Sequence, residues 1–176
     1  MDKKISLKTP FAEVFLSSDW SSSQAKYREE IRIELYKKTR NAEHLDLTKL
    51  PKSDNFFVSI SHCKSLGGYA LNLKEPIGFD VEQKERLKLS SIERISSDVE
   101  RALFESEFVN YIWPIKEAAF KRFEGGIDVI TDVTVKEAKE VSTKTFEGLL
   151  DVKGQTLQFL SGPVGLDCIF ALVKSR

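Results

Sequence analysis

Ile77-Gly78-Phe79-Asp80-Val81-Glu82 alternates apolar residues with small or acidic ones. Successive side chains on a strand point to opposite faces, so this stretch predicts a strand with Ile77, Phe79 and Val81 on one face and Gly78, Asp80 and Glu82 on the other. Two carboxylates then stand side by side above an apolar underside. Further along, Trp113-Pro114-Ile115-Lys116-Glu117-Ala118-Ala119-Phe120-Lys121 has helical spacing. Residues four apart are neighbours on a helix, which stacks Trp113, Glu117 and Lys121 on one face.

Three converging carboxylates repel one another unless a hard divalent cation sits between them, and oxygen-only ligation suits Mg²⁺. A lysine one turn from Glu117 is placed for a phosphate oxygen. Taken singly, each pattern has a blander reading. Asp-x-Glu on a strand is usually a solvated face, and Glu/Lys at i, i+4 is usually a surface ion pair. The combination, with Ser61-His62 upstream, is more specific.

These residues carry a family resemblance. The sequence resembles the 4'-phosphopantetheinyl transferases, whose signature is an Ile/Val-Gly-Ile/Val-Asp strand with Glu two residues on, followed by Trp/Phe-x-x-Lys-Glu-Ala/Ser-x-x-Lys. The larger, surfactin-synthetase-activating type adds a strand ending in Ser-His, matched by Val58-Ser59-Ile60-Ser61-His62-Cys63. The likeness covers about the last two thirds of the chain, and the first half is shortened. Ser59, Cys63 and Phe79 depart from the family's usual residues without removing a ligand. A Gly-Lys-Pro segment before the Ser-His strand, which in the larger type contacts the nucleotide, is missing, with Lys49 or Lys52 as substitutes. The basic N-terminal residues that grip the 3'-phosphate are not identifiable.

The resemblance implies transfer of the 4'-phosphopantetheine arm of coenzyme A to a serine of an apo acyl or peptidyl carrier protein. Asp80, Glu82 and Glu117 would hold Mg²⁺, Lys121 would neutralise phosphate charge, and Ser61 and His62 would bind coenzyme A. Lys116 matches the motif but lies roughly 100° round the helix from Glu117, facing phosphate or solvent. The general base is Glu117 or an upstream acid, for which Glu100 is the match; an ordinary solvated helix position is the other reading of Glu100. Trp113 reads as packing, and His44 carries no signal. Two rival readings are a diverged member that binds coenzyme A or a carrier protein without efficient transfer, and another Mg²⁺-dependent phosphotransfer enzyme. Lys84, Arg86 and Lys88 would give a basic patch for an acidic carrier.

With 27 basic and 27 acidic residues among 176, the chain lacks the basic excess of a nucleic-acid binder. It has no apolar run of bilayer length and no signal-peptide pattern at its start, so a cytoplasmic protein is expected. Cys63 and Cys168 are too few and too far apart in sequence for a disulfide framework or a zinc site, and lie in apolar runs as buried free thiols.

The fold expected is α+β. Residues 1–20 are mixed, with Thr9-Pro10 as punctuation. A helix runs from Gln24 to about Arg40, capped by Asp19 or one of Ser21 to Ser23. Strands at 56–60, 69–73 and 77–82 follow one another in one antiparallel or mixed sheet, with Gly67-Gly68 as a turn. A helical pattern covers about 90–111, Pro114 opens a new helix, and Gly125-Gly126 closes it. Strands follow at 129–135, 145–152, 156–160 and 167–173, with Lys153-Gly154 as a hairpin turn. A faint echo between Gly68–Lys74 and Ile169–Lys174 agrees with the resembled family's two similar α/β halves about a pseudo-twofold axis, here 1–75 and 76–176. That arrangement implies a monomer.

Overall fold

The computed structural model describes residues 4–48, 55–102, 108–123 and 130–176. Two antiparallel sheets account for its strands. The first takes β1 (Lys4–Lys8), β2 (Glu13–Ser17), β3 (Phe57–His62) and β4 (Gly67–Asn72) in the order β1-β2-β4-β3. The second takes β5 (Gly78–Gln83), β6 (Val133–Ser142), β7 (Thr145–Val152), β8 (Gln155–Val164) and β9 (Cys168–Ser175) in the order β5-β9-β8-β7-β6. Helix α1 (Tyr27–Thr39) accompanies the first sheet. Helices α2 (Leu89–Ile95), α3 (Asp98–Arg101) and α4 (Val109–Arg122) accompany the second.

Period-two alternation sorts the core into three layers. Tyr69 and Leu71 of β4 face Ile31 and Leu35 of α1. Ala70, between them, faces the opposite way with Val14 and Leu16 of β2, against Phe79 and Val81 of β5 and Phe170 and Leu172 of β9. Ile169, Ala171 and Val173, the intervening residues of β9, pack under Ile112, Ile115, Ala118 and Ala119 of α4. The order through the molecule is therefore α1, first sheet, second sheet, α4. Both sheets are apolar on two faces in their centres, as burial from both sides requires.

The expected alternation of β5 is observed: Phe79 and Val81 join the core between the sheets. Gly78 lies under α4, where a Cβ would come within 1.9 Å of the Ala118 carbonyl oxygen and 2.9 Å of Arg122 Cβ. The missing side chain lets the helix backbone approach the strand directly, which brings Glu117 and Lys121 down to the level of Asp80.

Several expectations are corrected. The three strands expected in one sheet are divided, because the chain leaves β4 and pairs β5 with β9 instead. Gly67 and Gly68 do not turn the chain. They open β4 where Cβ atoms would meet the backbone oxygens of Trp20 and Phe15 at 1.8 and 2.0 Å. The mixed N-terminal residues form a hairpin, β1 on β2, joined to β4. Helix α1 has Lys26 at its N-cap without a side-chain bond, while Ser17 caps a short 3-10 turn before it. The pattern over 90–111 is broken into α2 and α3, and Pro114 lies inside α4 rather than at its start. The Lys153-Gly154 turn is as expected, with φ of 49° and 86°. Gly125-Gly126, Lys49 and Lys52 fall outside the described residues. Among the described residues, no helix is long and apolar enough to cross a membrane.

Replacing Gly78 by Ala forces α4 off the sheet. We expect Gly78→Ala to lower stability by roughly 1–3 kcal/mol, the usual cost of overpacking, as read from urea denaturation. An unchanged midpoint would contradict the close approach.

Candidate functional site

The edge strands β3 and β5 meet where the two sheets adjoin, and serine hydroxyls take the place of a backbone ladder. The Phe79 N–H donates to Ser59 Oγ at 3.0 Å and the Val81 N–H to Ser61 Oγ at 3.2 Å. Ser61 Oγ donates in turn to Asp80 Oδ1 at 2.7 Å and accepts from Lys121 Nζ at 2.8 Å. Lys121 Nζ also bonds Asp80 Oδ1 at 2.7 Å. Ser61 and Asp80 are buried and Lys121 is half-buried, so these charge-assisted bonds are well shielded from water.

Glu82 and Glu117 face the same group. Burial raises the pKa of both; for Glu82 the Gln83 N–H and Arg86 oppose it and Asp80 adds to it, and for Glu117 Asp80 adds to it, Lys121 opposes it and Glu82 adds a smaller share. Glu82 Oε1 accepts the Gln83 N–H at 2.8 Å and a bond from Arg86 at 3.4 Å. Three acidic side chains thus share one field with the Lys121 ammonium. Among the described residues, no three His, Cys, Asp or Glu side chains are gathered closely enough to hold a metal ion as they stand. The donor chemistry is that of a hard cation's ligands, since each of the three side chains offers carboxylate oxygens.

His62, next along β3, is exposed and packs edge-on to Tyr27 of α1, with ring centroids 4.5 Å apart. Its pKa is lowered first by burial of the ring, then by the positive charges of Lys121 and Arg28, against Asp80. Arg28 Nε donates to Tyr27 Oη at 3.0 Å. Arg28 and Lys121 therefore make one cationic flank around His62, whose imidazole they favour in its neutral form. Sequence reasoning missed Tyr27 and Arg28, because nothing local marks which charge on α1 meets a strand thirty residues on.

Two residues assigned roles from the sequence stand elsewhere. Glu100 is fully buried and closes a capping box with Ser97, whose N–H donates to Glu100 Oε2 at 2.7 Å. Its Oε1 accepts the Val135 N–H at 2.8 Å. Lys116, 1% exposed, bonds Glu100 at 2.9 Å and donates to the carbonyls of Ile95 and Val133. The carboxylate has no free face to accept a substrate proton, and the ammonium reaches neither phosphate nor solvent. Ser97-x-x-Glu100 carries the capping-box pattern, which was the available signal. His44 is buried against Phe56.

A concavity of about 470 Å³ lies on β6, β7 and β8, lined by Glu137, Lys139, Glu147 and Gln158 among others. It contains none of the clustered residues. The groups whose pKa values are shifted by one another lie instead at the junction of the sheets, which is the candidate site. No family model matches the chain and no curated protein matches its sequence.

Removing one partner of the buried pair leaves the other uncompensated. We expect Lys116→Met to cost about 3–5 kcal/mol, with part recovered in Lys116→Met/Glu100→Gln. Chemical denaturation reads both, and a neutral single variant would refute the structural role. Glu117 behaves differently. A raised folded-state pKa means that its stabilising share is complete below the ordinary glutamate range, about 4.3, and is lost as pH rises through the folded value. Glu117→Gln should therefore raise Tm at pH 7, with the gain shrinking toward pH 4. A lower Tm at pH 7 would contradict the assignment.

Proposed function

We propose that the protein is a Mg²⁺-dependent 4'-phosphopantetheinyl transferase that moves the phosphopantetheine arm of coenzyme A to a serine of an apo acyl or peptidyl carrier protein. The observation that carries this reading is the meeting of Lys121 Nζ with both Ser61 Oγ and Asp80 Oδ1. Those three residues belong to the three separate motifs of the resemblance, 60 and 41 positions apart from Lys121.

In the proposed reaction the carrier serine oxygen bonds to the phosphorus on the pantetheine side of the coenzyme A pyrophosphate. The bond to the bridging oxygen breaks, and adenosine 3',5'-bisphosphate leaves. Asp80, Glu82 and Glu117 would hold Mg²⁺, which when bound supplies positive charge to the pyrophosphate oxygens. Lys121 neutralises charge on the leaving phosphate and can protonate it. Glu117 is also the candidate carboxylate to take the serine proton. His62 offers an imidazole N–H to phosphate, with Arg28 and Lys121 on the same flank. The exposed Lys84, Arg86 and Lys88 would meet an acidic carrier beside the site.

The same reading takes 1–75 and 76–176 as two similar α/β halves about a pseudo-twofold axis. What supports it is that β4 and β9, which carry the sequence echo, each neighbour the edge strand at the junction, β3 and β5 respectively. Each sheet also has one long helix on its outer face. Two halves that build one site within a chain favour a monomer, and the proposed substrates place it in the cytoplasm.

Incubated with coenzyme A, Mg²⁺ and an apo carrier, the protein should add one phosphopantetheine to the carrier, read by intact-mass spectrometry. Lys121→Met should slow that transfer by about 10²–10³-fold, the usual effect of removing one charge-stabilising group. An unmodified carrier at saturating substrate, across acyl and peptidyl types, would overturn the proposal.

A further inference from the structure

Cys63 and Cys168 lie 105 residues apart in the sequence, yet their sulfurs are 3.7 Å apart. Cys63 follows β3 directly and begins the tight turn to β4, its N–H donating to the Leu66 carbonyl at 2.7 Å. Cys168 opens β9 and pairs with Gln83 of β5. Both are free, buried, and part of the apolar layer between the two sheets. The pair therefore spans the junction one residue beyond His62.

The surroundings treat the two sulfurs unequally. Ser65 Oγ stands 3.1 Å from Cys168 Sγ and 3.8 Å from Cys63 Sγ. The thiol of Cys168 also faces the Asp167 carboxylate at 3.7 Å. A hydrogen bond from Cys168, with help from backbone N–H groups and the Ser65 hydroxyl, makes the Cys63 thiol the easier of the two to ionise. Negative charge on Cys63 then holds the second proton on Cys168. One thiolate beside one thiol is the arrangement that thiol oxidation and exchange require.

We propose that Cys63 and Cys168 are a redox pair, in which a small peroxide oxidises the two thiols to a disulfide that staples the first sheet to the second. The inference does not depend on the transferase reading. Cys63 thiolate attacks one peroxide oxygen: a sulfur–oxygen bond forms, the oxygen–oxygen bond breaks, and the departing oxygen leaves as water after protonation. Cys168 sulfur then attacks Cys63 sulfur, the sulfur–oxygen bond breaks, and hydroxide leaves as water with the Cys168 proton. Two thiols lose two electrons and two protons, and one hydrogen peroxide yields two waters. Closing from 3.7 Å to a bond of about 2.05 Å asks for a movement of under about 2 Å. Both sulfurs are buried, and the exposed Lys64 with half-buried Ser65 and Leu66 makes the turn beside them, so oxidation calls for a small peroxide and an opening of that turn.

The test treats the full chain with hydrogen peroxide, denatures it in N-ethylmaleimide, and maps the peptides by mass spectrometry. The proposal expects the intact protein to lose two hydrogens and both alkylation sites. It also expects the Cys63 peptide linked to the Cys168 peptide, and reversal by dithiothreitol. The oxidised form should melt at higher temperature than the reduced one. Cys63→Ser and Cys168→Ser should each abolish the link, but the wild-type map decides even where a variant fails to fold. Two alkylated cysteines after treatment, sulfinic acid on either without a link, or a link only between two chains would overturn it.

Discussion

The Ser61 hydroxyl spends its whole hydrogen-bonding capacity at the junction of the two sheets. Its proton goes to Asp80, and its two lone pairs take the Val81 N–H and the Lys121 ammonium. One buried oxygen thereby fixes β3 to β5 and β5 to α4. A fully satisfied buried network is rigid, and a partly satisfied one is costly. The positions of Asp80 and Lys121 are for this reason set by the fold rather than by solvent, and the carboxylates of Glu82 and Glu117 are held beside them.

That rigidity has an electrostatic cost. Glu82 and Glu117 are both pushed toward their protonated forms by burial and by Asp80. A core built only for stability would not gather acids there, as the rest of α4 shows. One face of the same helix buries Lys116 with every proton bonded, one on Glu100. The other carries Glu117 and Lys121 into a group with excess negative charge. The contrast between a satisfied pair and a cluster of raised-pKa acids makes the second the candidate site. Gly78 makes the cluster possible by letting α4 lie against the strand.

Much of this was legible in the sequence where the pattern is local. The alternation of 77–82 and the four-residue spacing of Glu117 and Lys121 gave the strand, the helix and the facing of both. The hairpin turn at Lys153-Gly154 followed from its residues. Non-local pairing was not legible. Nothing near Gly67-Gly68 says that Trp20 and Phe15 backbones press against them, and nothing near β5 says that it pairs with β9 rather than β4. The five-residue strands β1 and β2 are too short to declare themselves. For Glu100, the motif match and the solvated helix position both passed over the four-residue capping box, Ser97 to Glu100, that explains it. Cys63 and Cys168 were separated by sequence distance alone, which says little once two sheets pack face to face.

The central claim is that the acids at the sheet junction serve a cation that in turn serves coenzyme A. Calorimetric titration of the protein with coenzyme A, in Mg²⁺ and in excess chelator, tests it most directly. The account predicts binding that tightens markedly with Mg²⁺ and a Mg²⁺ dependence that disappears in Asp80→Asn. Equal affinity with and without the metal, or an Asp80→Asn variant that keeps the wild-type dependence, would contradict it.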